Sequence, residues 1–106
     1  MKEIRIYKTE NGKSPFESWI SKLDNLVKAR IIKRLERVSE GNYGDCKRID
    51  TNISELRFAF GPGYRIYFTE MEDVIVVLLC GGDKSTQVQD IKKANMYLRD
   101  LLERNK

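Results

Sequence analysis

The chain has 106 residues, 41% of them hydrophobic and 34% charged. That size and mix predict one domain, residues 1–106, with a packed core under a charged surface, and exclude a disordered tail. Its longest apolar run, Val74–Cys80, falls far short of the ~20 residues that cross a bilayer, and Met1-Lys2-Glu3-Ile4-Arg5-Ile6 lacks the apolar centre of an export signal. A cytoplasmic protein without membrane contact is therefore expected. Histidine is absent, and Cys46 and Cys80 form no CxxC, so no zinc ligand set and no cofactor are expected. Both cysteines read as packing residues.

Residues 2–8 alternate, with Ile4 and Ile6 on one face, and predict a half-buried strand that ends at the Asn11-Gly12 turn. Ser14-Pro15-Phe16-Glu17 is a helix start: a capping serine, a proline suited to the first helical position and a glutamate three residues after the cap. Phe16, Trp19, Ile20 and Leu23 follow at helical spacing. Asp24 caps a second helix whose apolar stripe is Val27, Ile31, Leu35 and Val38, and Gly41 stops it. The two helices predict a helical hairpin.

Net charge is +4, and residues 28–48 carry all of it, with seven basic against three acidic residues. Arg30, Lys33, Arg34 and Arg37 form a basic stripe beside the apolar one. Such a concentration suits a surface that meets a polyanion.

Beyond Gly44 the period shortens to two. Strands are predicted at Cys46–Ile49, at Ser54–Phe60, at Tyr64–Thr69 after the Gly61-Pro62-Gly63 turn, and at Val74–Cys80 as the central strand of the meander. Gly81-Gly82-Asp83-Lys84-Ser85 leads into a last helix with Ile91, Ala94, Leu98 and Leu101 on one stripe. The order β-α-α-β-β-β-β-α predicts an α+β fold, an antiparallel sheet with helices packed on it. The glycine pair matches neither a Walker loop nor a dinucleotide fingerprint. Arg57 and Arg65 occupy the polar phase of adjacent strands, a spacing that suits either a phosphate clamp or an ion pair with Glu55. Tyr67 shares their phase and suits either an ordinary cross-strand aromatic contact or stacking on a base.

Several blocks stand in one order: Lys8-Thr9, Gly12-Lys13-Ser14-Pro15-Phe16, Trp19, Arg34-Leu35, Gly41-Asn42, Gly44-Asp45-Cys46-Lys47, Glu55-Leu56-Arg57, Gly61-Pro62-Gly63-Tyr64-Arg65-Ile66-Tyr67 and Leu79-Cys80-Gly81-Gly82-Asp83-Lys84, then Gln87, Asp90-Ile91 and Ala94. Over roughly residues 4–98 this resembles the addiction-module killer proteins, a HigB-like, phage-Gp49-like branch of the RelE/ParE toxin superfamily. The resemblance implies a RelE-like fold and the toxin half of a type II toxin–antitoxin pair. It also implies a helix-turn-helix antitoxin as partner, with operator DNA reached only through that antitoxin. Many superfamily members act at the ribosome and cut mRNA without a metal. By this similarity Arg57, Arg65 and Lys84 match cationic positions of the active face, and Lys47 a basic position before the hairpin. The tyrosine or histidine common near the end of that face is replaced by Gln87-Val88-Gln89-Asp90.

The expected chemistry is metal-free attack of a 2′-hydroxyl on the adjacent phosphate. Arg57 and Arg65 bind the phosphate, Lys84 neutralises the developing charge, and Asp90 is either the base or a capping and pairing residue of the last helix. Lys47 and the Arg30, Arg34 and Arg37 stripe hold RNA backbone. Two alternatives stand beside it: a ParE-like gyrase poison and a non-catalytic antitoxin-binding module.

Overall fold

The computed structural model describes residues 1–105. The alternating N-terminal segment forms β1 (Glu3–Ile6). The Ser14 hydroxyl accepts from the Glu17 amide at 3.1 Å and starts α1 (Pro15–Ser21). Asp24 accepts from the Leu26 amide at 3.2 Å and starts α2 (Asn25–Ser39). Four strands follow: β2 (Cys46–Arg48), β3 (Ser54–Arg57), β4 (Tyr64–Met71) and β5 (Ile75–Asp83). A short 3-10 turn, Lys84–Thr86, then leads into α3 (Gln87–Arg104). The element order is the expected one. No helix among the described residues is long and apolar enough to cross a membrane.

Strand order is β1-β5-β4-β3-β2. The last four strands form an antiparallel meander, as expected. β1 makes the sheet mixed, because it lies parallel to β5, with Ile6 opposite Leu78. Long connections through both helices bring β1 back in this sense, and periodicity carries no information about strand direction. The middle of the sheet is β4, not the strand that begins near Val74. β5 also extends to Asp83, so the glycine pair lies within a strand and not in a loop.

Pleating sends alternate residues to opposite faces. Leu56, Ile66, Phe68, Val76 and Leu78 pack with Phe16, Ile31 and Val38 of the helical hairpin. On the other face Tyr67, Val77, Leu79 and Cys80 pack with Ala94 and Leu98 of α3. The sheet is thus covered on both sides. Cys80 is buried, as a packing residue should be, whereas Cys46 is exposed on the β2 edge strand.

The two glycines set how closely both layers approach. A Cβ on Gly81 would lie 2.2 Å from the Trp19 ring, and one on Gly82 would lie 1.8 Å from Asp90 Oδ2. Adjacent positions on one strand therefore accept α1 from one face and α3 from the other. Gly81→Ala is expected to destabilise the fold by about 1–3 kcal/mol through overpacking. Trp19→Leu in the same chain should recover part of that loss, as read by chemical denaturation.

The C-terminal half of α3 is tied to the end of β1. The Tyr7 hydroxyl donates to Asp100, Arg104 Nη2 donates to the same carboxylate at 2.8 Å, and Arg104 also reaches the Lys8 carbonyl. Tyr7 and Tyr97 stack with ring centroids 5.3 Å apart. The Tyr7 hydroxyl, aided by Arg104, holds the Asp100 carboxyl below its ordinary value. A carboxyl depressed in the fold stabilises it above its unfolded pKa of about 3.9, and that contribution drains away as pH falls through the folded value. The thermal midpoint should therefore drop between about pH 5 and pH 3. Asp100→Asn should show a shallower drop over the same range.

Candidate functional site

Strand register assembles a row of polar side chains on the α3 face. Arg57 stands opposite Arg65, Glu55 opposite Tyr67, Lys47 opposite Glu55, and Gly82 opposite Arg65. Directly opposed residues share a face, so Lys47, Glu55, Arg57, Arg65 and Tyr67 all project toward the α3 side. Opposed guanidinium groups repel, and two carboxylates relieve this. Asp45 Oδ1 accepts from Arg57 Nη2 at 2.8 Å and from Nε at 3.1 Å. Glu55 Oε2 lies 4.0 Å from Arg65 Nε.

The Arg65–Glu55 pair is the buried part of the row, with side chains 13% and 1% exposed. Arg65 Nη1 turns toward the carbonyls of Gly63 and Tyr64, at 3.2 and 3.3 Å. Glu55 accepts from Gln87 Nε2 at 3.1 Å, across from the first turn of α3. Lys84 rises beside Arg65: its Cβ lies 3.4 Å, and Arg65 Nη1 3.6 Å, from where a Cβ on Gly63 would stand. Two polar atoms of this row, Arg65 Nε and the Tyr67 hydroxyl, are buried without a hydrogen-bond partner. Burial, with Glu55 and Asp90 nearby, pushes the Tyr67 hydroxyl far above its ordinary pKa. The register thus brings Arg57, Arg65, Lys84 and Lys47 to one region, with Glu55 among them.

Tyr67 and Asp90 take the structural one of the two roles open to each, and Arg34 takes another role than the one expected. Tyr67 is fully buried, because its position on the α3 face places the ring inside the second core. It offers no surface on which a base could stack. Asp90 is 7% exposed, accepts from the Thr86 hydroxyl, and packs over Gly82. These contacts make it the peg that seats α3 on the sheet, and not the base. Arg34 spends its guanidinium on backbone. It donates to the Tyr43 carbonyl at 3.1 and 2.9 Å, to that of Arg57 at 2.8 Å and to that of Asp45 at 2.8 Å. It staples α2 to the β2 and β3 ends, and little donor capacity is left for RNA.

Arg30 and Arg37 do share a surface. Together with Lys33, Arg34, Phe58 and Phe60 they line a groove of about 350 Å³. The Arg30 guanidinium sits 3.6 Å over the Phe60 ring, a cation–π contact that orients it. This groove belongs to the α2 side of the sheet, behind the Arg57–Arg65 row. Arg34 connects the two surfaces, since the residues whose carbonyls it holds, Asp45 and Arg57, pair through their side chains. The sequence reading missed Asp45 and Gln87. Each contacts the site from outside the hairpin, and each stands within the family's blocks, at Gly44-Asp45-Cys46-Lys47 and at Gln87.

A mixed five-stranded sheet with a helical hairpin and a C-terminal helix is consistent with a RelE-like fold, and the family match places the chain in the RelE/HigB-like toxin superfamily. Within it, the chain belongs to the family described as phage derived protein Gp49-like, whose profile matches residues 18–100. It is 51% identical over 87 residues to a Haemophilus influenzae protein named "Uncharacterized protein", spanning 81% of this chain and 88% of that one.

Lysine cannot reproduce the planar fork with which Arg34 holds three carbonyls. Arg34→Lys should therefore cost about 1–3 kcal/mol in a denaturant titration. Arg30→Lys, at an exposed position, should stay within about 0.5 kcal/mol of the parent.

Proposed function

We propose that this chain is the toxin half of a type II toxin–antitoxin pair, acting in the cytoplasm as a metal-independent, ribosome-dependent mRNA endonuclease. The observation that carries this reading is the Arg57–Arg65 register beside buried Glu55, with Lys47 and Lys84 flanking it. A guanidinium binds two phosphate oxygens at once, and opposed arginines present two such forks. A phosphodiester arriving at Arg57 takes the place of the Asp45 carboxylate. Family membership supports the toxin context, and a small helix-turn-helix antitoxin is the partner this reading calls for.

In this reading the RNA 2′-hydroxyl oxygen attacks phosphorus and gives its proton to water. The bond from phosphorus to the 5′ oxygen breaks, that oxygen takes a proton from Lys84, and a 2′,3′-cyclic phosphate remains. Arg57 and Arg65 stabilise the charge that builds on the non-bridging oxygens. Glu55 is buried under Gln87 and orients Arg65 from below, and Asp90 is committed to Thr86 and Gly82, so neither carboxylate takes the proton. The groove of Arg30, Lys33 and Arg37 holds a second stretch of RNA backbone, an interaction that weakens with salt.

The test is expression without the antitoxin, followed by mapping of mRNA ends. The parent chain should arrest growth and leave discrete cuts. Arg65→Ala should leave none, and Arg65→Lys, which keeps a positive charge beside Glu55, should cut roughly 10²-fold more slowly. Circular dichroism and thermal melts show whether each variant is folded. Undiminished arrest by folded Arg65→Ala overturns the assignment. Intact translation with stalled DNA supercoiling points to a gyrase target, and a harmless parent chain points to a non-catalytic antitoxin-binding module.

A further inference from the structure

Among the described residues, two side-chain atoms are buried without a hydrogen-bond partner, Arg65 Nε and the Tyr67 hydroxyl. They belong to residues two apart on β4, so both project to the α3 face. Glu55 stands directly opposite Tyr67 on β3, and its Oε2 lies 4.0 Å from Arg65 Nε. That separation is too long for a direct hydrogen bond. Gln87 Nε2, donating to the same Oε2 at 3.1 Å, closes the space from the first turn of α3. Tyr67 and Glu55 are 0% and 1% exposed, so bulk solvent does not serve them.

Leaving a buried donor without an acceptor costs more than a typical hydrogen bond returns, and native interiors hold few such groups. Two of them beside one carboxylate, which has lone pairs to spare, point to a shared partner. Burial, with Glu55 and Asp90 nearby, keeps the Tyr67 hydroxyl protonated, so it offers an O–H. The partner must therefore accept from two donors and give a proton to Glu55 in a hydrogen bond. An anion would face the Glu55 carboxylate, and a cation would face the Arg65 guanidinium, so the partner is neutral. A water molecule meets these terms. Buried waters make about three hydrogen bonds, the number of groups that converge here, and a water commonly bridges polar atoms held beyond direct reach.

We propose that Arg65 Nε, Glu55 and the Tyr67 hydroxyl enclose one buried water, and that Tyr67 is, through it, a positioning residue for the Arg65 guanidinium. The water accepts from Nε and from the tyrosine hydroxyl and donates to the carboxylate. Arg65 is thereby held along its Nε edge, which the 4.0 Å contact with Glu55 alone does not do. What this does for RNA rests on the proposed function. The water site does not, and its test uses no RNA.

The test is a crystal structure of the intact chain, with NMR spectra of the arginine Nε–H groups in the parent and in Tyr67→Phe. An ordered water within hydrogen-bond distance of all three groups is expected. Tyr67→Phe, which removes only the hydroxyl, should move the Arg65 Nε–H signal and speed its exchange with solvent. It should also lower the thermal midpoint by about 4 °C, the loss of one hydrogen bond in a domain of this size. A hydroxyl with no partner would give the opposite sign, because its removal takes away a buried unsatisfied group. Tyr97→Phe, whose ring stacks on Tyr7, should leave the Arg65 signal in place. A crystal with no water among the three groups would overturn the proposal. So would an unmoved Arg65 signal in Tyr67→Phe, or a midpoint equal to or above that of the parent.

Discussion

Two adjacent glycines on β5 decide where both helical layers meet the sheet. Trp19 closes on Gly81 from the hairpin side, and Asp90 closes on Gly82 from the α3 side, each into space that a single methyl group would fill. Because neighbouring strand residues point to opposite faces, a dipeptide can receive both layers at one level of the sheet. That contact sets the height at which α3 begins, and with it the positions of Lys84 and Gln87. The polar row depends on this placement, since Gln87 meets Glu55 and Lys84 stands beside Arg65 only when α3 is seated.

Charge on the α3 face is arranged against its own repulsion. Arg57 and Arg65 are held opposite each other by backbone register, which does not yield to side-chain electrostatics. Asp45 and Glu55 make the arrangement tolerable, one near the surface and one deep in the sheet. The exposed pair contributes little to stability. The buried pair is different, because removing either member leaves an uncompensated charge in a poorly solvated place. An exposed contact at Arg57 and a buried one at Arg65 are thus two consequences of one register.

The basic stripe of α2 divides along the same logic. Arg30 and Arg37 remain at the surface, where Phe60 orients the former. Arg34, between them in sequence, turns inward and donates to the carbonyls of Tyr43 and Asp45 in the α2–β2 connection and of Arg57 at the end of β3. Similar residues on one helix therefore serve different ends according to whether unsatisfied backbone lies within reach.

The sequence by itself determined the element order, the caps at Ser14 and Asp24, the two apolar phases of the sheet and the shared phase of Arg57 and Arg65. These are local matters, governed by spacing along the chain and by which side chains satisfy a helix end. It also held the family's blocks, which placed Lys47 and Lys84 near the arginines. Tertiary structure alone decided that β1 lies parallel on β5, that the glycine pair is strand, and that α3 covers the face carrying the polar row. Once that face was covered, Tyr67 became core, Asp90 became a peg and Glu55 became the carboxylate beside Arg65. Alternation tells which residues share a face, but a chain reads the same whether the face meets water or a helix, and only packing settles which of its polar groups keep access to a ligand.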